Sequence, residues 1–262
     1  MKKLQTLLLS CFVSSLAACA GSKYRTDVGA MFGFASGDIA LQNAAGSLDL
    51  GSNQNSLDDN MGLGDTEASP YVRLQMDKDK HRIRLHGFRM DAEGSGTLAG
   101  SPGNGDFGDI LGGTNVTTSM EFLSINGNYS YEVLRTPDYR VGLGLQLAYY
   151  ALDVSARSAS GREEVQTDAL VPYPFIEVEG FAGGFTGGAN ASIMALDVGD
   201  GSGRYWDAEV YVKWEGTVDR ADIQFMLGYR YILLDAYGTA TGRDFDADID
   251  VNGVFISAGI RF

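Results

Sequence analysis

The chain has 262 residues, with 34 acidic side chains against 20 basic ones and a formal charge of -14 at neutral pH. That balance argues against a nucleic-acid partner, because grooves that follow phosphates are lined with Lys and Arg. Thirty-five glycines against five prolines, with 13 Tyr and 13 Phe, point to a single all-β domain rich in turns and aromatic residues.

At the N-terminus, Lys2 and Lys3 precede an apolar run over 4–16 and the small residues Ala17, Ala18 and Ala20. This is the order of a secretory signal, which would occupy 1–20 and leave 21–262 as the mature domain. Two cleavage readings stand side by side. Leu16-Ala17-Ala18-Cys19 resembles the lipobox of bacterial lipoproteins, which would move the boundary to 18/19 and leave Cys19 lipidated. Ala18-Cys19-Ala20 also fits ordinary small-x-small cleavage before Gly21. Cys11 departs with the signal either way, so no disulfide is expected within the mature chain. No later segment offers the roughly 18 consecutive apolar residues of a spanning helix, so any passage through a bilayer falls to strands.

Period-two alternation then predicts strands over 24–36, 70–77, 81–91 and 117–133. In the third of these, Arg82, Arg84 and His86 oppose Ile83 and Leu85, but Phe88 and Met90 continue on the charged face. A bulge near Gly87 would restore the register. The next strand is clearer: Tyr139, Val141, Leu143, Leu145, Leu147 and Tyr149 share one face, with tyrosine at both ends as at two membrane interfaces. A segment over 171–181 is less secure because Pro172 and Pro174 cannot donate to a ladder, and 185–196 follows it. Trp206, Ala208, Val210, Val212 and Trp214 form another row, as do Ala221, Ile223, Phe225, Leu227, Tyr229 and Tyr231. The last strand places Val254, Ile256, Ala258, Ile260 and Phe262 opposite Arg261. The count is about ten strands, with eight as the alternative, in an antiparallel up-and-down barrel that presents its apolar rows to lipid.

Connector lengths alternate. Short links fall at 78–80, 135–138, 182–184 and 215–220, and long ones at 37–69, 92–116, 155–169 and 236–247, with 197–203 as a short exception. Transmembrane barrels show this asymmetry between periplasmic turns and outward loops. The loop over 92–116, rich in glycine and acid, reads as mobile cover, receptor or adhesin.

The final strand, with Ile256, Ala258, Ile260 and the terminal Phe262, resembles the assembly signal of bacterial outer-membrane proteins. The mature chain resembles the small OmpA/OmpW-like barrel superfamily, and 56–63 with 79–85 resembles a segment of barrels in that group. The resemblance implies a monomer in the outer membrane, with lipid, lipopolysaccharide and the barrel-assembly machinery as partners. OmpA and OmpW have eight strands, whereas about ten are predicted here.

Candidate chemistry lies mostly on the inward rows: Arg73, Arg84, His86, Glu121, Arg140, Glu177, Glu179, Asp207, Glu209, Lys213, Arg230 and Arg261. Inside a narrow barrel such charges pair and hydrate, and the reading is an ion-pair network that fills the lumen. A narrow pore or a conduit for small hydrophobic solutes is the alternative. No catalytic residue or cofactor is expected. The only histidines are His81, beside a short turn, and His86, at mid-depth, where an acid/base pair with Glu177 or Glu179 is the weaker reading beside a satisfied lumen histidine. Asp248, Asp250, Asn252 and Gly253 match the opening of a calcium loop, but Gly259 stands where its twelfth-position carboxylate belongs. They read as an acidic loop end, where Asp244, Asp246 and Asp248 would bridge divalent ions to lipopolysaccharide phosphates. The expected role is structural or surface-interactive. A lipid-tethered soluble barrel that binds a small ligand would need the opposite orientation, with the apolar rows inside.

Overall fold

Alternation of side chains continues for longer than a bilayer requires, and the strands follow it. The computed structural model describes residues 22–198, 201–219, 221–240 and 242–262. Its long strands are β1 (Lys23–Leu41), β3 (Glu67–Lys78), β4 (His81–Thr97), β5 (Asn115–Arg135), β6 (Tyr139–Arg157), β7 (Arg162–Ala182), β8 (Phe185–Val198), β9 (Gly201–Val218), β10 (Ala221–Ala240) and β11 (Arg243–Arg261). A two-residue β2 (Asn55–Ser56) lies against Asp38 and Ile39 of β1. Each long strand runs antiparallel to the next, and β1 pairs with β11 from Arg25↔Arg261 to Leu41↔Phe245. The ladder therefore closes into a ring of ten long strands, as the alternation predicts. The signal region and Cys19 lie outside the described residues.

The orientation of the rows is decided by exposure. Leu143, Leu145 and Leu147 are 46%, 64% and 49% exposed on the outer wall, while Arg84 and Arg230 inside are 2% and 0% exposed. Apolar side chains outside and guanidinium groups inside are the arrangement of a transmembrane barrel and the reverse of the soluble alternative.

Up each strand, the outer face changes character at a definite point. On β11, Val254, Ile256, Ala258 and Ile260 give way at Asn252 to Asp250, Asp248, Asp246 and Asp244. The Tyr229 hydroxyl donates to Asn252 Oδ1 at 2.9 Å and that of Tyr231 to Asp250 Oδ1 at 2.5 Å, which puts an aromatic girdle at the boundary. Above it the hairpins continue without interruption to Ala240↔Arg243 and Arg157↔Arg162. The predicted loops over 155–169 and 236–247 are therefore mostly strand. Val154, Val165, Phe245 and Ile249 still point inward there. The outer partners change from aliphatic to acidic because the hairpins have left the lipid, and that change mimics a loop.

Two further expectations are corrected by register. Gly87 pairs with Val72 and Ile125 in an unbroken ladder, so no bulge lies there. Phe88 and Met90 share the inward face with Arg84 and His86 because the interior itself turns from ionic to apolar at that level. The irregularity falls in β5, between Glu132 and Leu134. At β7, pairing with β6 is complete, but pairing with β8 stops at Phe175↔Ser192. Pro172 and Pro174, two residues apart, withhold their donors on the same edge, and that edge is left open.

Candidate functional site

Below the level of Phe88, at the end of the barrel with the short turns, Arg73, Arg82, Arg84, Arg140 and Arg230 face Glu132, Glu177, Glu179, Asp207 and Glu209, all buried. Five positive charges meet five negative ones. Arg82 reaches Asp77 at 2.6 Å, Glu179 at 2.8 Å and Glu177 at 3.2 Å. Arg84 reaches Glu177 at 3.1 Å, and Arg140 reaches Glu177 at 2.8 Å and Glu132 at 3.2 Å. Arg230 holds Asp207 through two bonds, Nε to Oδ1 at 3.0 Å and Nη2 to Oδ2 at 2.7 Å. Arg73 holds Glu209 at 2.6 Å. Remaining lone pairs are met by neutral groups: Tyr211 donates to Glu179 at 2.7 Å, Gln146 to Asp207 at 2.7 Å, and Ser130 to Glu177. Buried charges persist only when paired and hydrogen-bonded in this way.

The predicted network is thus assembled from Arg84, His86, Arg140, Glu177, Glu179, Asp207, Glu209 and Arg230, with exceptions. Glu121 is on the outer wall, its side chain 61% exposed and paired with Arg89 at 2.9 Å. It lies above the apolar belt, where outward residues are polar too, so a carboxylate there does not report the lumen. Arg261 sits at the rim on Asp222 at 2.6 Å, and Lys213 pairs with Glu215 at 3.0 Å. His86 meets neither Glu177 nor Glu179. Its Nε2 is 3.0 Å from Asn128 Oδ1 and its Nδ1 is 3.4 Å from an Arg230 nitrogen, which gives no carboxylate-histidine pair. His81 is exposed and meets the Tyr129 hydroxyl at 2.8 Å. Asp248, Asp250 and Asn252 lie within β11 and not in a loop, and no group of three or more His, Cys, Asp or Glu suited to a metal occurs among the described residues. Arg82, which the alternation places on the inward row but which was not singled out as a site residue, is one of the best-connected members.

Above the ionic layer lies a feature the periodicity does not announce. The connections over 42–66 and 98–114 turn into the mouth of the barrel, where Leu57, Met61, Leu63, Leu98, Phe107 and Ile110 are buried. They join Phe88, Met90, Phe122, Tyr150, Phe245 and Ile249 in one apolar core. The two connections are stitched together by polar side chains. Asn53 Oδ1 accepts from the amides of Gly105 and Asp106 at 2.8 Å each and Asn55 accepts from Ala99 at 2.8 Å, while within the second connection Asp106 accepts from Gly112 at 2.6 Å. The Ser56 hydroxyl bonds to Asp58 and holds its carboxyl below the ordinary range. Gly94 and Gly96 of β4 let the first connection cross directly over the strand, since a Cβ on either would overlap the carbonyl of Gly62 or Asn60. The glycine-rich stretch read as mobile cover is therefore packed backbone, and the segment 56–63 that carries the resemblance forms part of the plug.

The two layers meet through aromatic rings. The Arg73 guanidinium lies 5.6 Å from the ring centroids of Tyr71, Tyr211 and Phe255, and that of Arg230 lies 5.6 Å from Phe88. At the turn end, Ile256 and Ile260 face outward, and Phe262 exchanges two backbone hydrogen bonds with Tyr24 at 2.9 and 3.0 Å. No family model matches the chain, and no curated protein does. Among solved structures, the outer-membrane protease OmpT of Escherichia coli superposes with a TM-score of 0.52 at 12% identity, covering 93% of this chain and 97% of that one. The fold is that of a bacterial outer-membrane β-barrel. Ail of Yersinia pestis follows at a TM-score of 0.34 and 10% identity, over 92% of this chain and 99% of that one, and the toluene transporter TodX of Pseudomonas putida at 0.33 and 9%, over 94% and 91%. At such identities the outer-membrane barrel shares architecture alone, and its role has to be argued from its own interior.

Proposed function

We propose that this outer-membrane barrel is sealed, and that it serves the envelope as a structural or surface-interaction element with no catalytic residue. The observation that carries the reading is the two-layer interior: a paired ionic layer at the turn end and an apolar plug at the loop end. An ion would have to displace matched charges in the first and lose its hydration in the second, and both steps are costly. With the path along its axis blocked, the barrel has its outer wall, its projecting hairpins and any space that opens sideways through the wall left for partners. Lipid, lipopolysaccharide and the assembly machinery, the last through the outward row ending at Phe262, are the partners in this reading, and the protein acts as a monomer without a cofactor.

The test is electrical. The refolded protein in a planar bilayer is expected to give no steady conductance, and stable open levels in its absence of denaturant would overturn the proposal in favour of a narrow pore.

A further inference from the structure

We propose that the open seam between β7 and β8 binds an acyl chain of an outer-leaflet lipid, drawn sideways out of the bilayer. The seam begins where ladder pairing ends at Phe175↔Ser192. Above it, among the described residues, β7 is paired only to β6 and β8 only to β9, so two strand edges face each other without a ladder. Two spaces flank this gap. On the outer wall is an apolar groove of about 400 Å³ formed by Leu143, Pro174, Ile176, Ile193 and Trp206. Inside is a cavity of about 420 Å³ whose walls include Val171, Leu152, Leu234, Phe245 and Ile249. Each is within the roughly 300–1,000 Å³ typical of small-ligand sites. Tyr173, set between the two prolines, meets Tyr205 of β9 edge to face at 6.5 Å across the seam.

Three features single out an acyl chain. The outer groove is continuous with the belt that already faces lipid, so its ordinary contents are hydrocarbon. Polar groups at the open upper edge of this cavity, Thr167, Asp168, Ser202 and Thr239, belong to the upper ends of their strands, beyond the belt, where a headgroup would remain hydrated. The chemistry of the edge also suits the site: the free stretch of β7 runs from mid-belt, where Pro174 pairs with Leu145 of β6, up to Leu170 beside Tyr149. Pro172 and Pro174 have no N–H to leave unmet in the hydrocarbon, and the upper end of the stretch lies near the interface, where water can satisfy it. An added protein strand is the poorer occupant, because Pro172 and Pro174 remove two donors that such a strand would need.

The site goes beyond the sealed-barrel proposal and is independent of it, since lateral entry needs no passage through the ionic layer. Its test uses the full protein in vesicles containing phosphatidylcholine with a diazirine near the end of one acyl chain. After irradiation, adducts are expected on inward residues Val171, Tyr205 and Ile249 as well as on outward Leu145 and Leu227. Ala236→Trp, which fills the cavity, should abolish the inner adducts and leave the outer ones. Pro172→Val with Pro174→Val, which restores two donors, should weaken inner labelling by closing the seam. Should that double variant fail to fold, the wild-type map and Ala236→Trp still decide the matter. Adducts confined to the outer wall would overturn the proposal, as would inner labelling by a photoreactive free fatty acid added from water when the lipid probe gives none. Conductance is expected to stay silent throughout, which keeps the outcome separate from that of the pore test.

Discussion

Arg230 is fully buried between Asp207, the His86 ring and the face of Phe88, so its value depends on what remains when it is removed. Arg230→Met strands the buried Asp207 carboxylate beside Gln146. The expected loss is about 3–5 kcal/mol, the usual cost of breaking a buried pair, and denaturant unfolding in detergent micelles measures it. Adding Asp207→Leu removes the orphan charge and should recover most of that loss, because replacing a whole buried pair is often neutral. If the double variant is as unstable as the single one, the charge balance of the layer matters less than its shape. At this scale the sequence was informative wherever a charge fell inside the belt. Arg84, Arg140, Glu177 and Arg230 stand opposite aliphatic rows and could go only inward. It was uninformative for Glu121, because beyond the belt both faces of a strand tolerate polar groups and alternation loses its sign.

At the scale of elements, the plug depends on two close crossings. Gly96→Val would push a side chain into the backbone of Asn60, and no rotamer avoids a clash at Cβ. The segment 56–63 should lift from the mouth, at a cost of about 1–3 kcal/mol, as for other overpacked sites. Limited proteolysis would show new cleavage near Leu57 and Met61, and intact protection would sink the idea. The ten strands were legible because alternation recurs along the chain, most cleanly over 139–149, 206–214, 221–231 and 254–262, while 171–181 was less secure because of its two prolines. The plug was not, since its buried residues (Leu57, Met61, Phe107 and Ile110) are scattered among turn formers with no period to detect. The shift at Phe88 was visible but read as a bulge, because alternation reports a change of face and cannot report a change in what the face meets. A chain lacking 99–112 is accordingly expected to remain closed to ions in the bilayer, because the ionic layer beneath is untouched.

The whole molecule carries its excess of acid where the hairpins leave the lipid. Cross-strand pairing sets Asp248 between Asp38 of β1 and Asp235 of β10, and like charges directly opposite one another are unfavourable. Partial burial, with repulsion from Asp235 and Asp250 and from Asp38, raises the Asp248 carboxyl above its ordinary value, although Arg204 lowers it in part. Asp153, on the opposite side of the crown, is raised by burial and by Glu164 and Glu121. A carboxyl raised in the folded state takes up its proton before the unfolded chain does. The sign therefore favours the folded barrel as pH falls from neutrality toward the ordinary carboxylate range, about pH 4–5, and works against it as pH rises. Thermal unfolding in micelles should show a higher midpoint at pH 5 than at pH 7. Asp248→Asn should raise the midpoint at pH 7 and shrink the difference between the two, and added monovalent salt should do the same by screening the row. If the midpoint instead falls between pH 7 and pH 5, the buried carboxylates of the lower layer govern the acid response, and the crown's repulsion is too well solvated to matter.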